Sequence, residues 1–430
     1  MPNSVQTNEL SRSQTLGAVL PDLMIEAVVD QSHTTQLRLH TWDGRKGATT
    51  PTVSFRGCTY MAAPVASGLP RAVRFPSSSK AFGTATQLTS SMLKFLSRYA
   101  SLAPDAAAFI VAFGLSSWFV DCFPVAPILY LLGPDNEVTL LLRLMGCFCR
   151  RPILLSEVDI AALGTLPRDL NPTLLVNQRD LGRGVTRVLL AANDRHFAIA
   201  RGKGEIYAYG AKAFASVPEF ADTTGVRVSL SPAQEPLPTL TDATEREVAN
   251  DFQSKLLRFR MVNRQRVCDA EVNTRVFVPA MREEVRAWLA PICDCPDLRK
   301  SVNSSLLQQS QDVQGDRLSN DQCVVAEAAL FFCHKPNTDH FFIGDLAETA
   351  NDLLRGRHDD RVLTDKKVGL LLRALGIHGE RVVKGYKVSL TDGVREQIHR
   401  VAEAYQVVAV QDGVARCAHC RIGEAYGGTN

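Results

Sequence analysis

The residues of this chain that come nearest to a chemical motif sit between two apolar runs, Leu129-Tyr-Leu-Leu-Gly133-Pro134-Asp-Asn-Glu-Val138-Thr139-Leu-Leu-Leu142. An apolar stretch that ends in glycine and resumes after a few polar residues outlines a strand, a phosphate loop and a helix. A working loop reads G-x-x-x-x-G-K-[ST]: glycines let backbone N–H groups wrap the phosphates, and lysine offsets their charge. Gly133 and Pro134 are present, but Val138 stands where the second glycine belongs. No lysine occurs between Arg98 and Lys203. The outline of a nucleotide loop is there without its cation.

A second stretch carries the same message. Pro172-Thr-Leu-Leu-Val-Asn177-Gln178 places four residues of a strand before two amides. A nucleotide-hydrolysing enzyme has Asp-Glu at such a place, where the first acid holds Mg²⁺ and the second orients the attacking water. Asn and Gln keep the shape and the hydrogen bonds but carry no negative charge, so they neither offset a metal ion nor act as a base. Any residual nucleotide contact falls to Gly133, Pro134, Thr139, Asn177 and Gln178, helped by N–H groups at the following helix.

The elements that must position these residues alternate strand and helix. Apolar runs predict strands at Ile128–Leu132, Ile153–Leu155, Thr173–Val176 and Val226–Leu230. Helical spacing predicts helices over 85–103, 106–119, Leu140–Cys149 and Val185–Ala192. Two further strands are expected around the turn Arg201-Gly-Lys203-Gly204. Ser156-Glu-Val-Asp159 and Thr244-Glu-Arg-Glu247 resemble capping boxes. Buried strands alternating with helices argue an α/β sheet. Residues 1–84 read as short strands and loop, 85–235 as the α/β domain, and 236–336 as helical with a polar surface stretch over 304–320. Residues 337–408 give two helices, a hairpin and a closing helix, a winged-helix pattern. A cysteine-containing tail spans 409–430.

The C-terminal pattern is polarised. From Arg361 to Lys387 there are seven basic residues, Arg361, Lys366, Lys367, Arg373, Arg381, Lys384 and Lys387, against two acids, Asp365 and Glu380. Lys366, Lys367 and Arg373 fall on or beside the second helix, and Lys384 and Lys387 in the hairpin, an arrangement suited to a helix in the major groove with phosphate contacts from the wing. Over residues 341–405 the balance is 11 basic to 10 acidic, so a solvated face used for protein contacts explains the same charges.

Eleven cysteines are scattered through the chain. Several, including Cys122, Cys147, Cys268 and Cys323, lie on apolar faces and read as reduced thiols used as small hydrophobes in a cytoplasmic protein. Cys417-Ala-His419-Cys420 supplies half of a tetrahedral zinc site, with Cys417 and Cys420 as the candidate ligands. The remaining ligands would come from His419 and another cysteine, with Cys293 and Cys295 as candidates, from Cys333, His334 and His340, or from a partner chain; two free thiols account for the pair more simply. The net charge of +3 identifies no partner, and the polar start MPNSVQTNELSRSQ lacks the apolar core of a secretory signal. The most apolar region, 106–132, is interrupted by Asp121, Pro124 and Pro127, which argues against a membrane span.

Together these stretches resemble the P-loop ATPase family found with phage and plasmid primase–helicases, in a degenerate form. The resemblance runs through Phe119-Val-Asp121-Cys-Phe123-Pro-Val-Ala-Pro127, Cys149-Arg-Arg151-Pro152-Ile-Leu-Leu-Ser156, Pro172–Asp180 and Tyr209-Gly210-Ala-Lys212-Ala-Phe214, then Leu371–Gly376 and Gly385-Tyr386. It implies a P-loop NTPase-like (AAA+/helicase-like) α/β core, a helical region and a C-terminal winged helix. Its departures fall on the residues that make the family ATPases. The expected function is therefore a non-hydrolysing, DNA-associated accessory protein, with homo-oligomers or replication and mobile-element proteins as further partners. Two alternatives stay open. One is a nucleotide-dependent enzyme whose lysine arrives from Lys203 or Lys212; the other is a transcriptional regulator whose pocket senses a nucleotide, such as ATP, or another ligand without turnover.

Overall fold

The computed structural model describes residues 11–30, 36–64, 72–201, 204–217, 225–232, 236–318, 320–405 and 407. Cys417, Cys420, His419 and Lys203 lie outside them. The chain forms two compact units, Met1–Ser310 and Gln311–Asn430.

The first unit begins with β1 (Ser11–Thr15), β2 (Gly17–Leu20), β3 (Leu23–Val29), β4 (Leu37–Trp42), β5 (Gly47–Thr50), β6 (Thr52–Phe55) and β7 (Cys58–Ala62). They make an antiparallel sheet in the order β2-β3-β4-β5 and a smaller sheet in the order β1-β7-β6. Then come α1 (Ala85–Tyr99) and α2 (Pro104–Ser117). Almost every side chain of α2 is buried, so it is apolar all round and shows no amphipathic stripe.

The central layer is a parallel sheet. Its members are β8 (Ile128–Leu132), α3 (Asp135–Gly146), β9 (Pro152–Leu155), α4 (Ile160–Leu163), β10 (Thr173–Val176), α5 (Arg183–Ala191), the hairpin β11 (Ile199–Arg201) and β12 (Gly204–Ile206), β13 (Lys212–Phe214) and β14 (Val226–Ser229). The strand order is β14-β8-β13-β10-β9, with every pair parallel. β13 is a central strand that periodicity misses, because three residues give no alternation to read. Glu284 closes the entry side of the sheet: it accepts from Ile128 N at 3.3 Å and from Gly225 N at 3.0 Å. Gly225 has φ +90°, and a Cβ there would lie 2.5 Å from the Tyr130 ring, so only glycine turns the chain into β14.

Two long helices and a short one complete this unit: α6 (Asp242–Cys268), α7 (Arg282–Leu289) and α8 (Pro296–Leu318); α8 spans the boundary between the two units in the chain. The polar 304–320 stretch is thus largely helix. The two expected capping boxes are corrected by a shift of register. Asp159, not Ser156, caps α4, accepting from Ala162 N; Thr241, three residues before Thr244, caps α6.

A buried ion network ties the small antiparallel sheet to the parallel one. Glu26 of β3 holds Arg150 at 2.9 Å, Arg151 at 2.7 Å and Arg260 at 2.7 Å. Asp121 holds Arg260 at 2.6 Å and Arg264 at 2.7 Å. Burial opposes ionisation of Glu26, but the three guanidinium groups outweigh it and bring its pKa down to about 2. Cys122, next to Asp121, forms a disulfide with Cys268, with Cα atoms 5.0 Å apart. This corrects the reading of both as free thiols. Residues 260, 264 and 268 share one face of α6 at four-residue spacing, so two ion pairs and one covalent bond fix the same short turn, Val120–Cys122.

The second unit contains α9 (Asp321–His334), β15 (His340–Phe342), α10 (Ile343–Gly356), α11 (Asp365–Ala374), β16 (Glu380–Val382), β17 (Gly385–Ser389) and α12 (Asp392–Ala404). α9 is grouped by sequence with the preceding helices, yet its apolar faces form the core of this unit with Leu346, Leu372, Val388 and Ile398. The helix–helix–hairpin–helix order matches the spacing, and β15 adds a third strand, giving the order β15-β17-β16. Thr364 caps α11 by accepting from Lys367 N.

Candidate functional site

The stretch read as a phosphate loop is a two-residue connection. β8 ends at Leu132 and α3 starts at Asp135, so Gly133 and Pro134 alone join them. The sequence places the helix from Leu140; the structure begins it five residues earlier, and Val138 is a buried core residue rather than part of a loop. Two residues do not supply the ring of N–H groups that wraps a phosphate chain. The first turn of α3 also carries Asp135 and Glu137, which stabilise the positive end of the helix themselves and repel an anion.

Gly133 has a packing reason to be glycine. A Cβ there would sit 2.7 Å from Leu230 Cβ and 2.9 Å from Leu230 O, the residue that follows β14. Thr139 faces the end of β10, where Asn177 donates from Nδ2 to its Oγ1 at 2.9 Å. Gln178 turns away: its Oε1 accepts from Val158 N at 2.9 Å, and its Nε2 donates to Asp180 O at 3.0 Å. Four of the five residues singled out for nucleotide contact therefore engage protein partners, and Pro134 is the N-cap position of α3.

Arg179 was not singled out by sequence. Its guanidinium donates to Gly133 O at 2.6 Å and pairs with Asp135. The signal was a cation directly after Asn177-Gln178. Lys212, a proposed substitute for the missing lysine, pairs in register with Ile128, the first residue of β8, and so lies at the far end of the sheet from Gly133. It is fully buried, donating to Ala192 O at 3.1 Å and Gly210 O at 2.9 Å, and burial pushes its pKa down to about 7. A cavity of about 320 Å³ adjoins α3, lined by Tyr99, Leu102, Glu137, Leu140, Pro238 and neighbouring residues, and it is mostly apolar.

The second unit separates the seven basic residues into three groups. Arg361 pairs with Asp321 and Asp359, and Lys367 with Asp321 at 2.6 Å, so their charges are spent inside the unit. Lys387 is opposite Glu380 in the strand register and therefore points to the face away from Tyr386 and the buried Val388. Lys366, Arg373 and Lys384 line one groove of about 650 Å³ between α11 and the β16–β17 hairpin. Arg381 is opposite Tyr386 and shares its face. Among the described residues, no ion pair engages these four. Tyr386 lies among them, 43% exposed, with the Arg373 guanidinium 5.7 Å from its ring centroid. In the sequence Tyr386 is an alternating position of the hairpin, with Lys384 and Lys387 beside it, and an aromatic among lysines is the signal that marks it.

No group of three or more His, Cys, Asp or Glu side chains able to hold a metal occurs among the described residues. Cys293 and Cys295, considered as zinc ligands, diverge: Cys295 is buried and accepts from Thr89 Oγ1 at 3.9 Å, while Cys293 contacts Arg266. His334 and His399 meet at 3.2 Å between their Nε2 atoms. No described helix is long and apolar enough to cross a membrane.

No family model matches the chain, and no curated protein matches it. Solved structures show distant likeness. The A-form apo structure of the NrS-1 C-terminal region is 10% identical, covering 85% of this chain and 96% of that one, with a TM-score of 0.35. Drosophila ORC bound to DNA is 13% identical over 74% of this chain and 91% of that one, with a TM-score of 0.19. Likeness at this level leaves the site to be read from its own residues: this chain is an α/β protein with a parallel sheet, similar at a distance to the NrS-1 C-terminal region and to ORC.

Proposed function

We propose that this chain is a non-hydrolysing, DNA-associated accessory protein. Its first unit is a degenerate P-loop NTPase-like scaffold of the AAA+/helicase-like kind, and its second unit is a winged helix that holds nucleic acid. The carrying observation is the set of four cations, Lys366, Arg373, Arg381 and Lys384, gathered on one side of α11 and the hairpin without acidic partners among the described residues. Unneutralised cations gathered on one surface are what phosphates require, and the near-zero net balance of the unit does not weaken them at contact range. The same reading accounts for the first unit: a hydrogen bond replaces the metal site, and an Arg–Asp pair stands beside the loop. Such a core serves assembly with itself or with replication proteins of a mobile element.

Salt-dependent DNA binding tests this reading. A fluorescent oligonucleotide should bind the protein with affinity that falls steeply as salt rises, and a K366A/R373A/K384A variant should flatten the dependence by about three in slope. Unchanged salt dependence in that variant would overturn the assignment to the groove. Phosphate release from ATP should be absent throughout.

A ligand-sensing reading draws support from the apolar cavity beside α3. A nucleotide-dependent rise in melting temperature without phosphate release would favour it.

A further inference from the structure

We infer that the groove between α11 and the β16–β17 hairpin takes single-stranded nucleic acid, with an unpaired base stacked on Tyr386. This rests on the nucleic-acid reading above and goes further by naming the form of the ligand.

The exposed side chains of α11 include an apolar one that a duplex gives little use for. They are Asp365, Lys366, Lys367, Leu370, Arg373 and Ala374. Base edges in a major groove are read by hydrogen-bonding side chains, Asn and Gln for adenine and Arg or Lys for guanine. No Asn or Gln is present on this helix, and Arg373 already lies over Tyr386. Leu370, also on this exposed face and 58% exposed, offers no hydrogen bond to a base edge.

The same surface suits an unpaired strand. Single-stranded nucleic acid offers apolar base faces and charged phosphates in alternation, and its binding sites combine aromatic platforms with basic grooves. Here Leu370 and Tyr386 offer apolar surface, while Lys366, Arg373 and Lys384 surround it. Arg381 stands across the hairpin from Tyr386. Two carboxylates, Asp345 and Asp365, also line the groove, in the first turns of α10 and α11; Arg373 and Lys384, nearer the hairpin, lie outside those turns. A base arriving at that ring meets a π face with the Arg373 guanidinium 5.7 Å from its centroid. An acidic protein partner could also cover Leu370 and Tyr386 and pair with the cations; the aromatic platform set among basic side chains is what favours an unpaired strand, and the test below separates the two.

The test measures fluorescence anisotropy of the full chain with a labelled oligothymidine and with a mixed-sequence duplex of equal length. Wild type, Tyr386→Ala and Tyr386→Phe are compared. The wild type should bind the single strand at least tenfold more tightly than the duplex. Tyr386→Ala should weaken single-strand binding about 5- to 150-fold, the range of base stacking on an aromatic side chain, and leave duplex binding nearly unchanged. Tyr386→Phe should keep the wild-type preference. Thermal melting confirms that the variants fold. Equal loss on both ligands, no loss on either, or tighter duplex binding overturns the single-strand inference while DNA binding stands. Failure of the wild type to bind either ligand at low salt overturns the nucleic-acid reading itself and assigns the groove to a protein.

Discussion

Asn177 donates to Thr139 Oγ1 at 2.9 Å, joining the end of β10 to α3. Two polar side chains that could have faced a bound metal and phosphate instead satisfy each other. Replacing Asn177 with Ala removes a net stabilisation of about 1 kcal/mol, measurable by urea unfolding. Asn177→Asp should keep most of that stability, because the Thr139 hydroxyl can donate to a carboxylate. It should release no phosphate from ATP, since neither a lysine nor a loop is restored. Hydrolysis by Asn177→Asp would show that the two-residue connection is competent after all.

The ion network at Glu26 should set the acid limit of the fold. The folded-state pKa is about 2, against an ordinary value of 4.5. A lowered carboxyl pKa contributes stability that is fully present above the unfolded value and is lost as pH falls through the folded one. Unfolding free energy should therefore fall between about pH 4.5 and 2. Glu26→Gln should remove this group's share of that pH dependence and destabilise the protein at neutral pH by about 3–5 kcal/mol, because three buried guanidinium groups lose their carboxylate. A Glu26→Gln protein as stable as wild type at pH 7 would contradict the assignment.

Lys212 should act in the opposite part of the pH range. Its folded pKa, about 7, lies below the ordinary 10.5. Between these values the unfolded chain binds more protons than the folded one, so stability from this group rises with pH across the window. Below pH 7 its burial penalty is fully present; above 10.5 it has vanished. Lys212→Met should flatten the rise, as read from unfolding curves at pH 7 and pH 9. An identical slope in the variant would count against a buried, depressed amine.

Reduction of the Cys122–Cys268 disulfide should lower stability by about 2–5 kcal/mol, since the bond closes a long loop. The melting temperature should drop on adding a thiol reductant, and a Cys122→Ser/Cys268→Ser variant should melt at the reduced value with or without it. Asp121, paired with Arg260 and Arg264, keeps the turn docked after reduction, so the native fold should persist at room temperature. Insensitivity of the wild type to reductant would remove the bond from the account.

Much of the scaffold was legible in local pattern. The strands Ile128–Leu132 and Thr173–Val176 fall where apolar runs end at Gly133 and Asn177, and Thr364 caps the helix that its position announces. Buried parallel strands are continuous apolar runs, and caps are side-chain to backbone bonds three residues long; both are written in neighbouring letters. The helix start at Asp135 was not legible. Gly-Pro followed by Asp-Asn-Glu fits a loop and a first helical turn alike, and burial of Val138 against the sheet chose between them.

The sequence by itself determined that no lysine lies between Arg98 and Lys203 and that amides, not acids, directly follow Thr173–Val176, because which residue types occupy a stretch needs no coordinates. It also determined the strand–helix alternation and the basic run from Arg361 to Lys387. Tertiary structure decided which of those charges remain available: Asp321 neutralises Lys367, strand alternation turns Lys387 away, and Lys366, Arg373 and Lys384 converge on one groove with Tyr386. It likewise brought Cys122 to Cys268 and Glu26 to three arginines across long separations. Charge and covalent pairing depend on distances of a few ångströms between residues far apart in the chain, and only packing sets those distances.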